Sequence, residues 1–317
     1  MMHAVLVGCA IAVMQQGAVD VPQARSNASL VILKTGAIAV YGGYAVQGRA
    51  PDSMPTVWIH DGRAWRSHTA TGAVPTPGVR ADAVSVRDAA GRLLVIGGHA
   101  ADSSRGDVWA WAGTQWKRIG DDAPGGRHLA AGAYDQARNV TVLHGGHDLA
   151  RNIMPTTTWL FDGARWRSVD AERGPGARFA AAMAWDPQRR QVLLHGGDAP
   201  DGVHHRDTWA WDGARWDVIA RDGPDLPVHG AMIADPMGRG MLLIASPGDR
   251  VLGEVETWLL EGRTWRLLLR GGPAPRNGHA LAHDSARKRV VLFGGQANSN
   301  TKFNDLWEFD GVRWTQR

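Results

Sequence analysis

Apolar residues fall in short runs, each bounded by polar or glycine-rich turns, and the same order of runs recurs along the chain. One unit shows the pattern. An alanine-rich run at 180–185 meets a polar turn at 186–190, with Asp186 where type I turns favour it. A β-rich run follows and stops at a glycine pair, as in Val-Val-Leu-Phe-Gly-Gly at 290–295. After a variable loop comes Asp-Thr-Trp-Ala-Trp at 207–211. The step Asp212-Gly213 then supplies the positive φ of a tight hairpin turn, and Trp216 opens a last run. Each unit therefore predicts four short antiparallel strands.

The periodicity is strict. Tryptophans pair seven apart at Trp58/Trp65, Trp109/Trp116, Trp159/Trp166, Trp209/Trp216, Trp258/Trp265 and Trp307/Trp314. A glycine sits four residues after each first Trp: Gly62, Gly113, Gly163, Gly213, Gly262 and Gly311. The second runs end at Gly42-Gly43, Gly97-Gly98, Gly145-Gly146, Gly196-Gly197, Ala245-Ser246 and Gly294-Gly295, spaced 55, 48, 51, 49 and 49 residues apart. Prolines Pro22, Pro77, Pro124, Pro175, Pro224 and Pro273 stand three residues before each first-strand lead-in.

A four-stranded unit of this length cannot bury both faces alone, whereas radial stacking buries them and leaves only short edges. Alanine suits innermost strands that converge on an axis. The Trp pairs suit the wider outer wedge, where each buried indole removes roughly 150–250 Å² from water, worth about 4–6 kcal/mol gross. Trp111, Trp185 and Trp211 lie outside the pairing and are candidates to face solvent or a ligand.

The diglycine closing the second strand, with an aromatic–x6–Trp pair on the third and fourth, resembles the kelch-repeat family. The form P-x-x-R … GG … D-T-W-x-W-D-G-x-x-W is similar to a bacterial branch related to the central domain of galactose oxidase. The fifth unit departs, with Ala245-Ser246. The resemblance implies an all-β, six-bladed β-propeller with four antiparallel strands per blade. Its blades fall at about 22–72, 73–120, 121–171, 172–221, 222–270 and 271–317, closed without an exchanged strand. Residues 1–21 then form a leader, or an extra strand over the seam.

The composition is that of an ordinary folded protein of 317 residues, 44% hydrophobic and 21% charged, with a net charge of +4. No basic block marks a nucleic-acid surface, and no apolar run reaches the length of a membrane span. The apolar run at 4–14 suits a secretory signal, and Leu6-Val7-Gly8-Cys9 resembles a lipobox, although Met1-Met2-His3 lacks a basic residue. Export is expected, and also a monomer. Cys9 is the single cysteine, so an intramolecular disulfide and a thiolate metal cage are excluded.

Candidate chemistry gathers on the face where outer-to-inner and second-to-third strand loops open. Arg25, Arg80, Arg127, Arg178 and Arg276 stand at the blade starts, with Pro227 in the fifth. A guanidinium ring at a channel mouth would hold an acidic ligand by bidentate bonds. The same arginines can instead brace the acids Asp107, Asp207, Glu256 and Asp305, two residues before a third-strand Trp. The loop residues His147, Asp148, His204 and His205 join the ligand-binding candidates. His99, His195 and His279 lie near the same face, and His144 shares a slot with Tyr41, Ile96, His195 and Phe293, where a ring is expected to fill space. No metal or other cofactor is expected.

The copper-radical chemistry of galactose oxidases is excluded, because the only tyrosines are Tyr41, Tyr44 and Tyr134 and the only cysteine is in the leader. Asp162 and Gly163 are adjacent, so the spacing of a sialidase box fails. No nucleophile elbow, HExxH or phosphate loop occurs. The expectation is a non-enzymatic binding or scaffold propeller for a protein, peptide or glycan, acidic if the arginine ring is used. The alternative is a carbohydrate-active enzyme resembling the six-kelch N-acetylneuraminate mutarotases, with Glu254, Glu256, Asp148, His147 or His205 as acid/base.

Overall fold

A computed structural model describes residues 21–45, 56–69, 75–100, 103–121, 123–169, 174–225, 230–247 and 253–317. Of the leader expected at 1–21, residues 1–20 with Cys9 lie outside the described residues, as does Pro227. The described residues form six four-stranded antiparallel sheets and no helix. Blade one contains Ser29–Ile32, Ile38–Tyr41, Thr56–His60 and Trp65–Thr69. Blade four contains Ala182–Asp186, Gln191–His195, Thr208–Trp211 and Trp216–Ala220. Each four-stranded sheet is built from one stretch of chain, and two short two-stranded pairs, Arg25–Ser26 with Tyr44–Ala45 and His99–Ala100 with Ser103–Ser104, lie within single blades, so among the described residues no strand is exchanged between blades. The innermost strands of neighbouring blades touch all the way round, including Ser29–Ile32 of blade one against Ala280–Asp284 of blade six. The chain is a closed six-bladed β-propeller.

The tryptophans fill the blade boundaries. Four of the six fourth-strand indoles pack against a ring in the slot of the preceding blade: Trp116 on Tyr41, Trp216 on His144, Trp265 on His195 and Trp65 on Phe293, with centroids 4.7–5.9 Å apart. Trp216, Trp265 and Trp314 donate Nε1–H backwards, to Oγ1 of Thr158, Thr208 and Thr257. The expectation that Trp111 and Trp211 face solvent or a ligand is corrected. Both are fully buried, stacked on Trp116 and Trp216. They occupy an inward position two residues after the first Trp, where Phe161 and Phe309 pack on Trp166 and Trp314. Trp185 is half-buried.

The glycine pairs mark where blades approach most closely. A Cβ on Gly42, Gly97, Gly145 or Gly294 would lie 2.2–2.7 Å from the carbonyl oxygen of the next blade's arginine: Arg80, Arg127, Arg178 or Arg25. The second glycine's N–H donates to that same carbonyl, as Gly146 does to Arg178 at 2.9 Å. Gly295 does so to Arg25 at 2.8 Å and helps close the ring. In the fifth blade Ser246 replaces this device: its hydroxyl accepts the backbone N–H of Arg276 at 2.8 Å.

Candidate functional site

Two residues after each blade-start arginine the backbone turns left-handed, at Asn27, Asp82, Leu129, Ala180 and Gly278, with φ between 51° and 60°. Asn and Asp enter this region readily, whereas Leu129 and Ala180 each cost about 1–2 kcal/mol to hold there. The compensation is a chain of hydrogen bonds around the axis. Asn27 N–H donates to Gly278 O at 2.7 Å, Asp82 to Asn27 at 3.3 Å, Leu129 to Asp82 at 3.1 Å and Ala180 to Leu129 at 2.8 Å. This collar surrounds a cavity of about 150 Å³ on the axis, which residues of all six blades line, including Asp82, Ala130, Ala181, Gly230 and His279.

Above the collar a polar arc crosses blades one to three. The Tyr44 hydroxyl donates to Asp82 Oδ2 at 2.8 Å, and Asn27 Nδ2 donates to Asp82 Oδ1 at 2.6 Å. Tyr44 Oη also lies 2.9 Å from His99 Nδ1. Since the phenol proton is directed at Asp82, the imidazole N–H is the donor in that contact. The rings of His99, His128 and His147 follow one another at 5.5 and 5.4 Å. Ser104 Oγ contacts His128 Nδ1 at 3.1 Å, and Asn152 Oδ1 contacts His147 Nε2 at 3.2 Å. Burial, with the Asp82 charge, raises the Tyr44 phenol pKa. Burial lowers that of His128, with its histidine neighbours adding to the effect. The arc thus holds a neutral phenol, a carboxylate and an imidazole kept neutral near pH 7. These groups can donate to and accept from a polar ligand or move a proton.

The arginines sit one layer below this surface, and of the two roles expected for them the contacts within the chain are those of braces. Arg25, Arg80, Arg127, Arg178 and Arg276 are all buried. Each donates Nη1–H to the first residue of its own blade's glycine pair, at the carbonyls of Gly42, Gly97, Gly145, Gly196 and Gly294. Arg80, Arg178 and Arg276 also pair with Asp107, Asp207 and Asp305. Burial alone would raise the Asp107 and Asp207 carboxyls, but the guanidinium and a tryptophan N–H bring both below the usual range.

The remaining candidates divide. His147 belongs to the arc. Asp148 is buried and caps its own turn, accepting from the N–H groups of Ala150 and Arg151 while pairing with the Arg151 side chain. His204 Nδ1 contacts Asp198 Oδ1 at 2.6 Å on blade four, and His205 beside it has its pKa lowered by burial. Glu256 is tied to Trp258 Nε1–H and Arg270. His144 and His195 fill the ring slot as expected. Among the described residues no cluster of three His, Cys, Asp or Glu side chains is arranged to hold a metal ion, and no helix is long and apolar enough to cross a membrane.

The single-sequence reading missed Tyr44, Asp82 and His128. The signal was present as position within the repeat. Tyr44, His99 and His147 all follow a glycine pair, and His128 and Asp82 stand one and two residues after an arginine. The residues after each arginine and each glycine pair bridge to one another, as in His128 with His147 and Ala81 with His99.

A second cleft of about 570 Å³ opens on the opposite face, between blades six and one, lined by His60, Asp61, Asp284, Arg287, Glu308 and Arg317 among others. At three other boundaries an arginine of the first turn reaches the next blade's hairpin carbonyl: Arg138 to Asp212, Arg189 to Gly262 and Arg239 to Gly311. Arg287 instead meets Glu308, which Arg317 also binds. The cleft's buried carboxylate is therefore already neutralised from within the chain.

Fold and collar define a six-bladed propeller with a polar mouth. Among solved structures the chain is similar to the structure of YjhT, with a TM-score of 0.68 and 14% identity over 94% of this chain and 98% of that one. At that identity the likeness shows the fold alone. No family profile matches the chain, and no curated protein matches it in sequence.

Proposed function

We propose that this chain is a kelch-type binding propeller that holds a polar ligand over its channel mouth, against the arc from Tyr44 to His147. The supporting observation is the hydrogen-bonded set Tyr44–Asp82–His99, continued by a row of tilted imidazoles, placed on a strained collar instead of on a solvated outer surface. Backbone strain of this kind concentrates at functional sites. The axial cavity is smaller than the roughly 300–1,000 Å³ of sites that engulf small molecules, so the ligand lies across the rim, as a peptide or glycan chain would. An exported, monomeric protein fits this reading, supported by the apolar run at 4–14 and the lone Cys9.

Screening oligosaccharides and acidic peptides against the immobilised full chain should yield ligands whose affinity falls at least tenfold in Tyr44→Phe and His128→Ala. Hits that bind both variants at wild-type strength would place recognition elsewhere.

One observation favours an enzymatic second reading. Tyr44, hydrogen-bonded between Asp82 and His99, can carry a proton in sugar ring opening. Anomer exchange of N-acetylneuraminate followed by NMR should then be accelerated by wild type and not by Tyr44→Phe. An unchanged rate with wild type removes that reading.

A further inference from the structure

In blades two, four and six one carboxylate serves two buried donors. Oδ1 of Asp107, Asp207 and Asp305 takes Nη1–H of Arg80, Arg178 and Arg276 at 2.6, 2.9 and 2.6 Å. Oδ2 takes the indole N–H of Trp109, Trp209 and Trp307 at 2.6, 2.6 and 2.8 Å. The position borders solvent, since these three aspartates remain 16%, 23% and 17% exposed.

Blade three keeps both donors, Arg127 and Trp159, but has Thr157 in the aspartate's place. Arg127 is 4% exposed and donates to Gly145 O and Pro124 O. Its Nε is buried without a partner, as is that of Arg178, and among the described residues Arg127 forms no ion pair and Trp159 Nε1 no hydrogen bond. Burial lowers its pKa to about 10, which Asp148 only partly opposes. A buried cation with no direct ion-pair partner is costly in a low-dielectric layer. Arg151, exposed and paired with Asp148, lies beside Gly125 at the rim.

We propose that blade three is a carboxylate-binding site, in which Arg127 and Trp159 take from a ligand the planar pair of oxygens that Asp107, Asp207 and Asp305 supply in blades two, four and six. The aspartates are the template: two oxygens, one on the guanidinium and one on the indole, match a carboxylate. The ligand class is a uronic or other sugar acid, or an acidic side chain, approaching over the loop at 147–157. The site stands on blade three alone, whether or not the arc binds anything.

The test is thermal unfolding of the full chain in sodium acetate against sodium chloride at equal ionic strength, with the Trp159 indole N–H followed by NMR. Acetate should raise Tm by several degrees and shift that resonance. Thr157→Asp, which supplies the carboxylate from within the chain, should raise Tm in chloride and abolish the acetate response. Arg127→Met should also lack the response. Glucuronate and an N-acetylglutamyl amide, run in parallel, show whether sugar acid or peptide is preferred; a response to either supports the site. Stabilisation identical in chloride and acetate, or an acetate response that survives in Thr157→Asp or Arg127→Met, would overturn it.

Discussion

The indole Nε1–H of Trp216 in blade four donates to Oγ1 of Thr158 in blade three at 2.9 Å, and both side chains are buried. The same threonine oxygen lies 3.1 Å from His144 Nδ1, whose ring packs on Trp216. One hydroxyl therefore ties the ring slot of one blade to the wedge residue of the next.

Thr158→Val should leave the indole donor buried without a partner, at a cost of about 1–3 kcal/mol. Trp216→Ala should cost about 3–5 kcal/mol through the cavity it opens. Both are read from denaturant midpoints. A neutral Thr158→Val would show that the boundary is held by packing alone.

Arg178→Ala should destabilise by about 3–5 kcal/mol, because it strands Asp207 and two carbonyls in a buried layer. Unfolding curves check this. A variant that keeps its wild-type Tm would return the arginines to the list of ligand contacts.

The buried slot histidines make stability acid-sensitive. Burial holds His144 and His195 at a pKa of about 4, against an ordinary 6.5. Their folded pKa is depressed, so the unfolded chain binds protons first. The contribution is complete above about pH 6.5 and is lost as pH falls towards 4, up to about 3 kcal/mol per histidine. His144→Tyr should flatten that loss, since Tyr41 fills the same slot and donates to the equivalent carbonyl, Gly78 O. An unaltered pH profile of Tm in this variant would count against the assignment.

Gly145→Ala and Gly163→Ala separate two reasons for glycine. Both positions have positive φ, at 67° and 99°. Gly163 has open space around a Cβ, and its substitution should cost about 1–2 kcal/mol of backbone strain. At Gly145 the Cβ would lie 2.2 Å from Arg178 O, so blade three must move away from blade four. The loss there should exceed about 3 kcal/mol, measured by the same denaturant titration.

The repeat spacing, the four strands per unit and the wedge role of the Trp pairs were readable directly, because each follows from local pattern and a fixed period. The slot role of His144 was readable from alignment with Tyr41 and Phe293. Tyr44, Asp82 and His128 were not singled out, because no motif joins them. They stand 38 to 84 positions apart in the chain, on three different blades.

By itself the chain determined how many modules exist, which strands each contains and which indoles pack between them, since hydrophobic period and turn chemistry act over a few residues. Closing the circle decided the rest. It placed each arginine under its own glycine pair, buried Trp111 and Trp211, and aligned Tyr44 with Asp82 and His99 across neighbouring blades. Burial and partnership of a polar group depend on what the next blade brings against it. That contact exists only once the ring has formed.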